Sequence, residues 1–292
     1  MTQDSLFELP KELHPAIKLY PKDYAKTRQD ARVLILVKAR PEPSTQYGDT
    51  VCVAGIRVDQ EEYSWVRLYP IPFRSLEHYK QFKKYTFINV PIIPAKDDFR
   101  SESFRPDREK LHIESDLPIK KVSERMRYIE PLISDLSMCE ILAIGRSKNA
   151  EKMYPSLAVI RPREIKGLDI KPFKGWTEKQ RNAINNSATQ GDLMDMLNGE
   201  PEKVMLEEPR FEVHLRYLCE SRSCKEHSQL FLDWELEAFT RRCNDLSDSE
   251  AVQSIRERWN NVLDSDKKPL LYVGNQLKAA LAYSVLGVQR SV

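Results

Sequence analysis

Residues 32–69 read RVLILVKARPEPSTQYGDTVCVAGIRVDQEEYSWVRLY, and three strand signals lie within this one stretch. The run Arg32-Val33-Leu34-Ile35-Leu36-Val37 is almost continuously apolar, the pattern of a strand covered on both faces. Pro41 to Asp49 is rich in turn formers, and Thr50 to Ile56 follows as a second strand. Asp59 to Glu62 makes a turn, and Tyr63 to Tyr69 is a third strand that stops at Pro70. Three strands with short connections form a meander, the opening of a small barrel or sandwich.

The pattern extends in both directions. Residues 1–29 are polar and carry Pro10, Pro15 and Pro21, which predicts an extended N-terminal arm. Downstream, the sequence predicts a short helix over Arg74–Lys84 and a strand over Tyr85–Ile93. A charged loop then runs to Pro106, and Val122–Leu136 has helical spacing. Ile141–Ile144 and Leu157–Ile160 read as strands, which starts a second β unit near residue 140. Phe211, Val213, Leu215 and Tyr217 alternate with polar residues, as in a half-buried strand. Gln229–Cys243 and Ser247–Leu263 read as amphipathic helices, the second with a cap at Asp248 or Ser249. Two closing strands cover Leu270–Val273 and Ala282–Val288.

Composition narrows the function. The chain has 292 residues, 41% hydrophobic and 31% charged, with a net charge of +2. That balance suits a cored, well-solvated protein whose nucleic-acid contacts, if any, are confined to a local patch. No apolar run reaches the roughly 18 residues that a membrane-spanning helix needs. The opening MTQDSLFELPKEL has no basic head or apolar stretch, so a cytoplasmic location is expected. The five cysteines are then expected to be reduced, buried or metal-binding. With 9 glycines and no GxGxxG or Walker pattern, nucleotide-phosphate loops are not expected.

Cys219-x4-Cys224-x2-His227 carries the most chemistry. Three soft or borderline ligands within nine residues fit one half of a tetrahedral zinc site. Cys243, near the end of the next helix, is the expected fourth ligand on ligand type, though the helix must fold back to deliver it; His214 lies on the opposite strand face from Cys219. The site is expected to be structural, because no further His or carboxylate pair offers an open position. Asp233 and Glu235 raise a competing reading, a metal-dependent nuclease. On a helix, however, positions i and i+2 do not share a face.

Trp65, Arg67, Tyr69, Phe73 and Arg74 interleave rings and cations, as surfaces that stack bases and hold phosphates do. Arg161, Arg163 and Lys166, with Lys171 and Lys174, extend a basic path suited to a phosphate backbone.

The strands RVLILVKAR, GDTVCVAGI and YSWVRLYPIPFR resemble the opening of proteins with a dual OB-containing domain. The residues that carry the likeness are Lys38, Cys52, Ala54, Gly55, Ile56, Trp65 and Arg67. The resemblance implies two tandem OB-like barrels and nucleic-acid or nucleotide binding, often in prokaryotic loci of mobile-element or phage-defence type. An OB barrel does not account for the cluster and helices at 219–264.

The expected fold is therefore α+β, mainly β: two OB-like small barrels with a zinc-stapled helical module. Residues 1–29 form the arm, 30–138 the first OB-like domain, and 139–292 the second, carrying the Cys/His knuckle and helices. The expected function is nucleic-acid binding as an accessory or sensor protein of a prokaryotic defence or DNA-processing system. DNA or RNA is the expected partner and no catalysis is expected. A nuclease using Asp233 and Glu235 and a zinc-stapled adaptor with a protein partner are the alternatives.

Overall fold

The structure, a computed structural model, describes residues 22, 27–44, 48–71, 81–114, 118–146, 155–186, 206–277 and 279–292. It is mainly β with few helices. The first half contains a closed five-stranded barrel. Its strands are β1 (Gln29–Lys38), β3 (Gly48–Arg57), β4 (Ser64–Ile71), β5 (Phe87–Pro94) and β6 (Ser103–Pro106), with β2 (Glu42–Ser44) beside β3 and β7 (His112–Ile113) beside β5. The order around the barrel is β1-β3-β4-β6-β5, and β5 pairs with β1 to close it. All these pairs are antiparallel except β4 with β6. This order is compatible with an OB-like barrel.

The apolar run in β1 has a structural reason. Val33 and Ile35 point into the barrel with Val53, Val66, Leu68, Ile88 and Val90. Leu34, Leu36 and Val37 point outward, yet they are buried too, because Leu157, Val159, Leu270, Tyr272 and Leu286 of the second half cover them. Both faces of the strand are core, so no polar alternation survives. Gly55 sits at the tightest point of this layer: a Cβ there would lie 2.3 Å from the Leu34 carbonyl oxygen. Only glycine lets β1 and β3 pair at that spacing.

The second half has two three-stranded sheets. One has the order β11-β10-β9, from β9 (Pro162–Pro172), β10 (Phe211–Cys219) and β11 (His227–Leu230). The other has the order β13-β12-β8, from β8 (Leu157–Ile160), β12 (Pro269–Gln276) and β13 (Ala279–Arg290). Only Arg161 separates β8 from β9. Past the end of β11, Phe231 makes a parallel bridge to Val285 of β13. Among the described residues the α-helices are α1 (Val122–Ile129), α2 (Met138–Arg146), α3 over residues 178–186, α4 (Trp234–Arg242) and α5 (Asp248–Val262). Leu236 of α4 and Ala251, Ile255 and Trp259 of α5 pack on the β10 residues Val213, Leu215 and Tyr217.

Several expected elements shift. Ile141–Ile144 is part of α2, so the first strand of the second half begins at Leu157 rather than near residue 140. Ser137 and Glu140 explain the helix: the Glu140 carboxylate accepts from the Ser137 backbone N–H at 2.8 Å, and Ser137 Oγ accepts from the Glu140 N–H at 3.4 Å. This reciprocal pairing is a capping box. Gln229 belongs to β11, and α4 starts only at Trp234. The cap of α5 is Ser247, not Asp248 or Ser249. Most of the helix expected over 74–84 lies outside the described residues, and residues 81–84 are not helical.

Charged groups as well as apolar ones join the two halves. Lys84 Nζ donates to both carboxylate oxygens of Asp233, at 2.7 and 2.8 Å. Arg100 donates to the Asn275 backbone carbonyl and side-chain oxygen at 3.0 and 3.2 Å, and Asp98 holds it from the other side. Arg67 donates to the Ser156 carbonyl and hydroxyl oxygens, each at 3.3 Å. Groups this deep are tolerated because each charged group finds at least one partner, although Arg67 Nε has none among the described residues.

Lys38 belongs to the same joint and is the costly member. Burial pushes its ammonium down to about 8, with Lys84 adding to the shift and Glu235 and Asp233 opposing it. Between about pH 8 and the ordinary lysine value the unfolded chain binds a proton that the folded chain does not, so stability rises with pH there. The full gain is on the order of 3 kcal/mol. Lys38→Met is expected to remove this rise, read as the difference in urea unfolding free energy between the two proteins from pH 7 to 10. A difference that stays constant across that range would show that Lys38 is fully charged in the fold.

Candidate metal centre

β10 ends on Cys219, the chain turns through residues 220–226, and β11 begins at His227. Tyr217 pairs with His227 across this hairpin, which sets the two ends of the turn side by side. Cys224 lies inside the turn: its N–H donates to the Ser221 carbonyl at 3.1 Å, and its sulfur accepts from the Cys219 N–H at 3.4 Å. The expected trio Cys219, Cys224 and His227 therefore converges.

The fourth member is Cys139, not Cys243. One ligand atom from each of Cys139, Cys219, Cys224 and His227 falls within 4.8 Å of all the others. His227 Nε2 is 3.4 Å from Cys219 Sγ and 3.5 Å from Cys139 Sγ. Around a tetrahedral ion with Zn–S of about 2.3 Å and Zn–N of about 2.0 Å, the S···N edge is about 3.5 Å. The donor set thus has the size and chemistry of a Cys3His site and can hold a metal ion. Cys243 caps the C-terminus of α4 and is buried in the core of the second half, where its carbonyl accepts from Arg210 at 2.7 Å. It is not among the residues whose ligand atoms converge. His214 lies on the outer face of β10, 3.9 Å from Glu212.

The ionisation pattern is that of three crowded thiols. Burial, then the neighbouring Cys219, pushes Cys139 up to about 12. Cys219 is also buried, but hydrogen bonds from His227 and from the backbone of Cys139 and Ser221 outweigh that and bring it down to about 6. Burial raises Cys224. One thiolate is thus stabilised by the fold alone, and a bound cation would supply the charge to ionise the other two. Four protein ligands fill a tetrahedron, which leaves no position for a substrate.

Sequence spacing alone could not pair Cys139 with a knuckle 80 residues away. The signal that was present is Ser137-Met138-Cys139-Glu140, a capping-box pattern that puts Cys139 in the first turn of a helix.

The residues expected to bind nucleic acid are dispersed. Trp65 and Arg67 share the outer face of β4, but the second half covers that face. Trp65 meets the Tyr272 ring edge-on at 6.3 Å. Arg67 is 5% exposed and bonded to Cys52 Sγ and Ser156, so it is a joint residue rather than a surface cation. Tyr69 is 39% exposed, and Phe73 and Arg74 lie outside the described residues. Arg161, Arg163 and Lys166 are exposed, and Pro162 between the two arginines pairs with Cys219. Asp233 and Glu235 do not form a carboxylate pair. Asp233 is 4% exposed, bonded to Lys84 and capping α4 through the Glu235 N–H at 2.8 Å, while the Glu235 side chain is 59% exposed.

No helix among the described residues is long and apolar enough to cross a membrane. No curated protein matches the chain. A family model described as a domain of unknown function (DUF8758) matches residues 29–131. A second, described as a domain of unknown function (DUF8757), matches residues 134–291, more than half of the sequence, and the chain belongs to that family.

Proposed function

We propose that the chain is a non-catalytic nucleic-acid-binding accessory protein, built as two OB-like barrels with a structural zinc ion in the second. The strand order supports the second barrel. With β8 and β9 taken as one bent strand, the order runs β8/β9-β10-β11-β13-β12 and back to β8, with β11 parallel to β13 at the Phe231–Val285 bridge. Strand for strand, this repeats the order of the first half, including its one parallel pair.

The observation that carries the reading is which sheet face stays open. OB barrels take up oligonucleotides on the face of their second and third strands. In the first half that face, on β3 and β4, is buried under the second half. In the second half the equivalent strands are β10 and β11, and Glu212, His214, Arg216 and Leu218 on β10 turn toward solvent or its margin. A single strand crossing this face would run onto Arg163 and the knuckle. Zinc suits a closed site of three thiolates and one imidazole, and it brings no redox chemistry. The resemblance adds a setting, a prokaryotic defence or DNA-processing locus.

Anisotropy titrations with labelled single- and double-stranded DNA and RNA at 50 and 200 mM salt test the reading. Binding is expected at the lower salt and should weaken at the higher one. No binding to any of the four at low salt would sink it. The nuclease alternative has little support, because Lys84 already holds Asp233.

A further inference from the structure

Pro162 pairs with Cys219, so Arg161 and Arg163 flank the residue opposite the first metal ligand. Arg163 Nη1 donates to the Ser221 carbonyl at 3.3 Å, inside the knuckle turn. Arg222 follows in that turn, and Lys225 comes directly after Cys224. All four side chains are exposed, and none forms an ion pair among the described residues. Elsewhere on the same sheet the cations are matched: Lys166 with Glu164 at 2.6 Å, Lys171 with Asp169 at 2.7 Å and Arg216 with Glu226 at 2.8 Å. Among the described residues, no cation is paired to Glu220 of the turn.

We propose that the metal centre holds these four cations as a crest that binds a nucleic-acid phosphate backbone, and that losing the metal dismantles the crest. The inference rests on the nucleic-acid reading above and deepens it. Three of the four cations are arginines, whose planar donor fork matches phosphate oxygens. The turn 220–226 and the start of β9 carry no aromatic ring, so the contact is to the backbone and not to bases. The turn has no regular structure of its own. Two bonds at Cys224 hold it from within, and Arg163 and Arg216 tie Ser221 and Glu226 to the sheet, while the candidate ligands would tie Cys219, Cys224 and His227 to Cys139 on α2. Without the metal, the sulfurs that face one another lose their common partner, and the cations lose their fixed spacing.

The test uses the full chain, with zinc content measured in every sample and a labelled single-stranded oligonucleotide titrated across a salt series. Arg161→Glu with Arg163→Glu, and Arg222→Glu with Lys225→Glu, are each expected to weaken binding roughly tenfold or more at low salt. Each pair should lower the salt slope by roughly 1.4 and leave the zinc in place. Stripping zinc with a chelator should weaken binding to a similar degree, and restoring zinc should recover it. His227→Cys keeps four ligands and should keep both zinc and affinity. If the wild type binds and both charge reversals bind as well, the crest is wrong while the broader reading stands. If the metal-free chain binds as tightly as the loaded one, the metal has no part in the crest. Competition by polyglutamate as strong as by the oligonucleotide would reassign the surface to an acidic protein. A wild type that binds no nucleic acid overturns the crest and the broader reading together.

Discussion

Cys139→Ser is expected to abolish tight zinc binding, whereas Cys243→Ser leaves one zinc per chain. The contrast follows from position. Cys139 Sγ sits 3.5 Å from His227 Nε2, within the group of four, and Cys243 is buried in the same core but is not a member of that group. In isolated zinc-finger peptides a structural zinc contributes about 10–16 kcal/mol of apparent binding free energy at neutral pH. This chain has a core of its own, so only part of such a term appears as stability. With free zinc at about a thousand times its dissociation constant, the loss is about 4 kcal/mol. For a domain of this size that lowers the melting temperature by about 8–16 °C. The Cys243→Ser protein should lose only what placing a hydroxyl in an apolar site costs, about 1–3 kcal/mol. Elemental analysis of protein purified without a metal-charged resin, with melting before and after chelation, reads both quantities. One zinc retained in Cys139→Ser and lost in Cys243→Ser would return the fourth ligand to α4.

Much of the architecture was legible because it is local. β1, β3 and β4 show in the sequence as an apolar run and two further strand-like runs, and their turns are marked by Pro, Gly and Asp. What was not legible depends on partners distant in the chain. Trp65 and Arg67 read as a nucleic-acid face because nothing near them says that Tyr272 and Ser156 will cover them. The motif residues Lys38, Ala54, Ile56, Trp65 and Arg67 gain one physical explanation, since they build the joint between the two halves, while Gly55 lets β1 and β3 pair closely within the first barrel. The same limit hid Cys139, whose place in the cluster depends on how α2 is set against the β10–β11 hairpin. The trio Cys219, Cys224 and His227 was visible because one turn holds all three.

The Lys84–Asp233 pair is the most sensitive point of that joint. Asp233→Ala is expected to destabilise the protein by about 3–5 kcal/mol, since it leaves the Lys84 ammonium buried without its partner. Loss of the cap on α4 adds about 1 kcal/mol. The lysine stays charged: burial works against the Lys84 ammonium, but the Asp233 carboxylate at 2.7 Å outweighs it and keeps the lysine protonated. The carboxyl of Asp233 is itself pushed up by burial, with Lys84 and the Glu235 N–H pulling the other way. Removing both charges at once tells a different story. Lys84→Met with Asp233→Leu takes away two desolvated ions together, and it should recover most of the loss. A double-mutant cycle in urea unfolding gives the coupling directly. A loss below about 1 kcal/mol in Asp233→Ala, or additive losses in the double variant, would mean that the two side chains are not paired across the joint. A large coupling would also explain why Asp233 is a poor metal-binding carboxylate: both of its oxygens are already taken by Lys84, and one also by the first turn of α4.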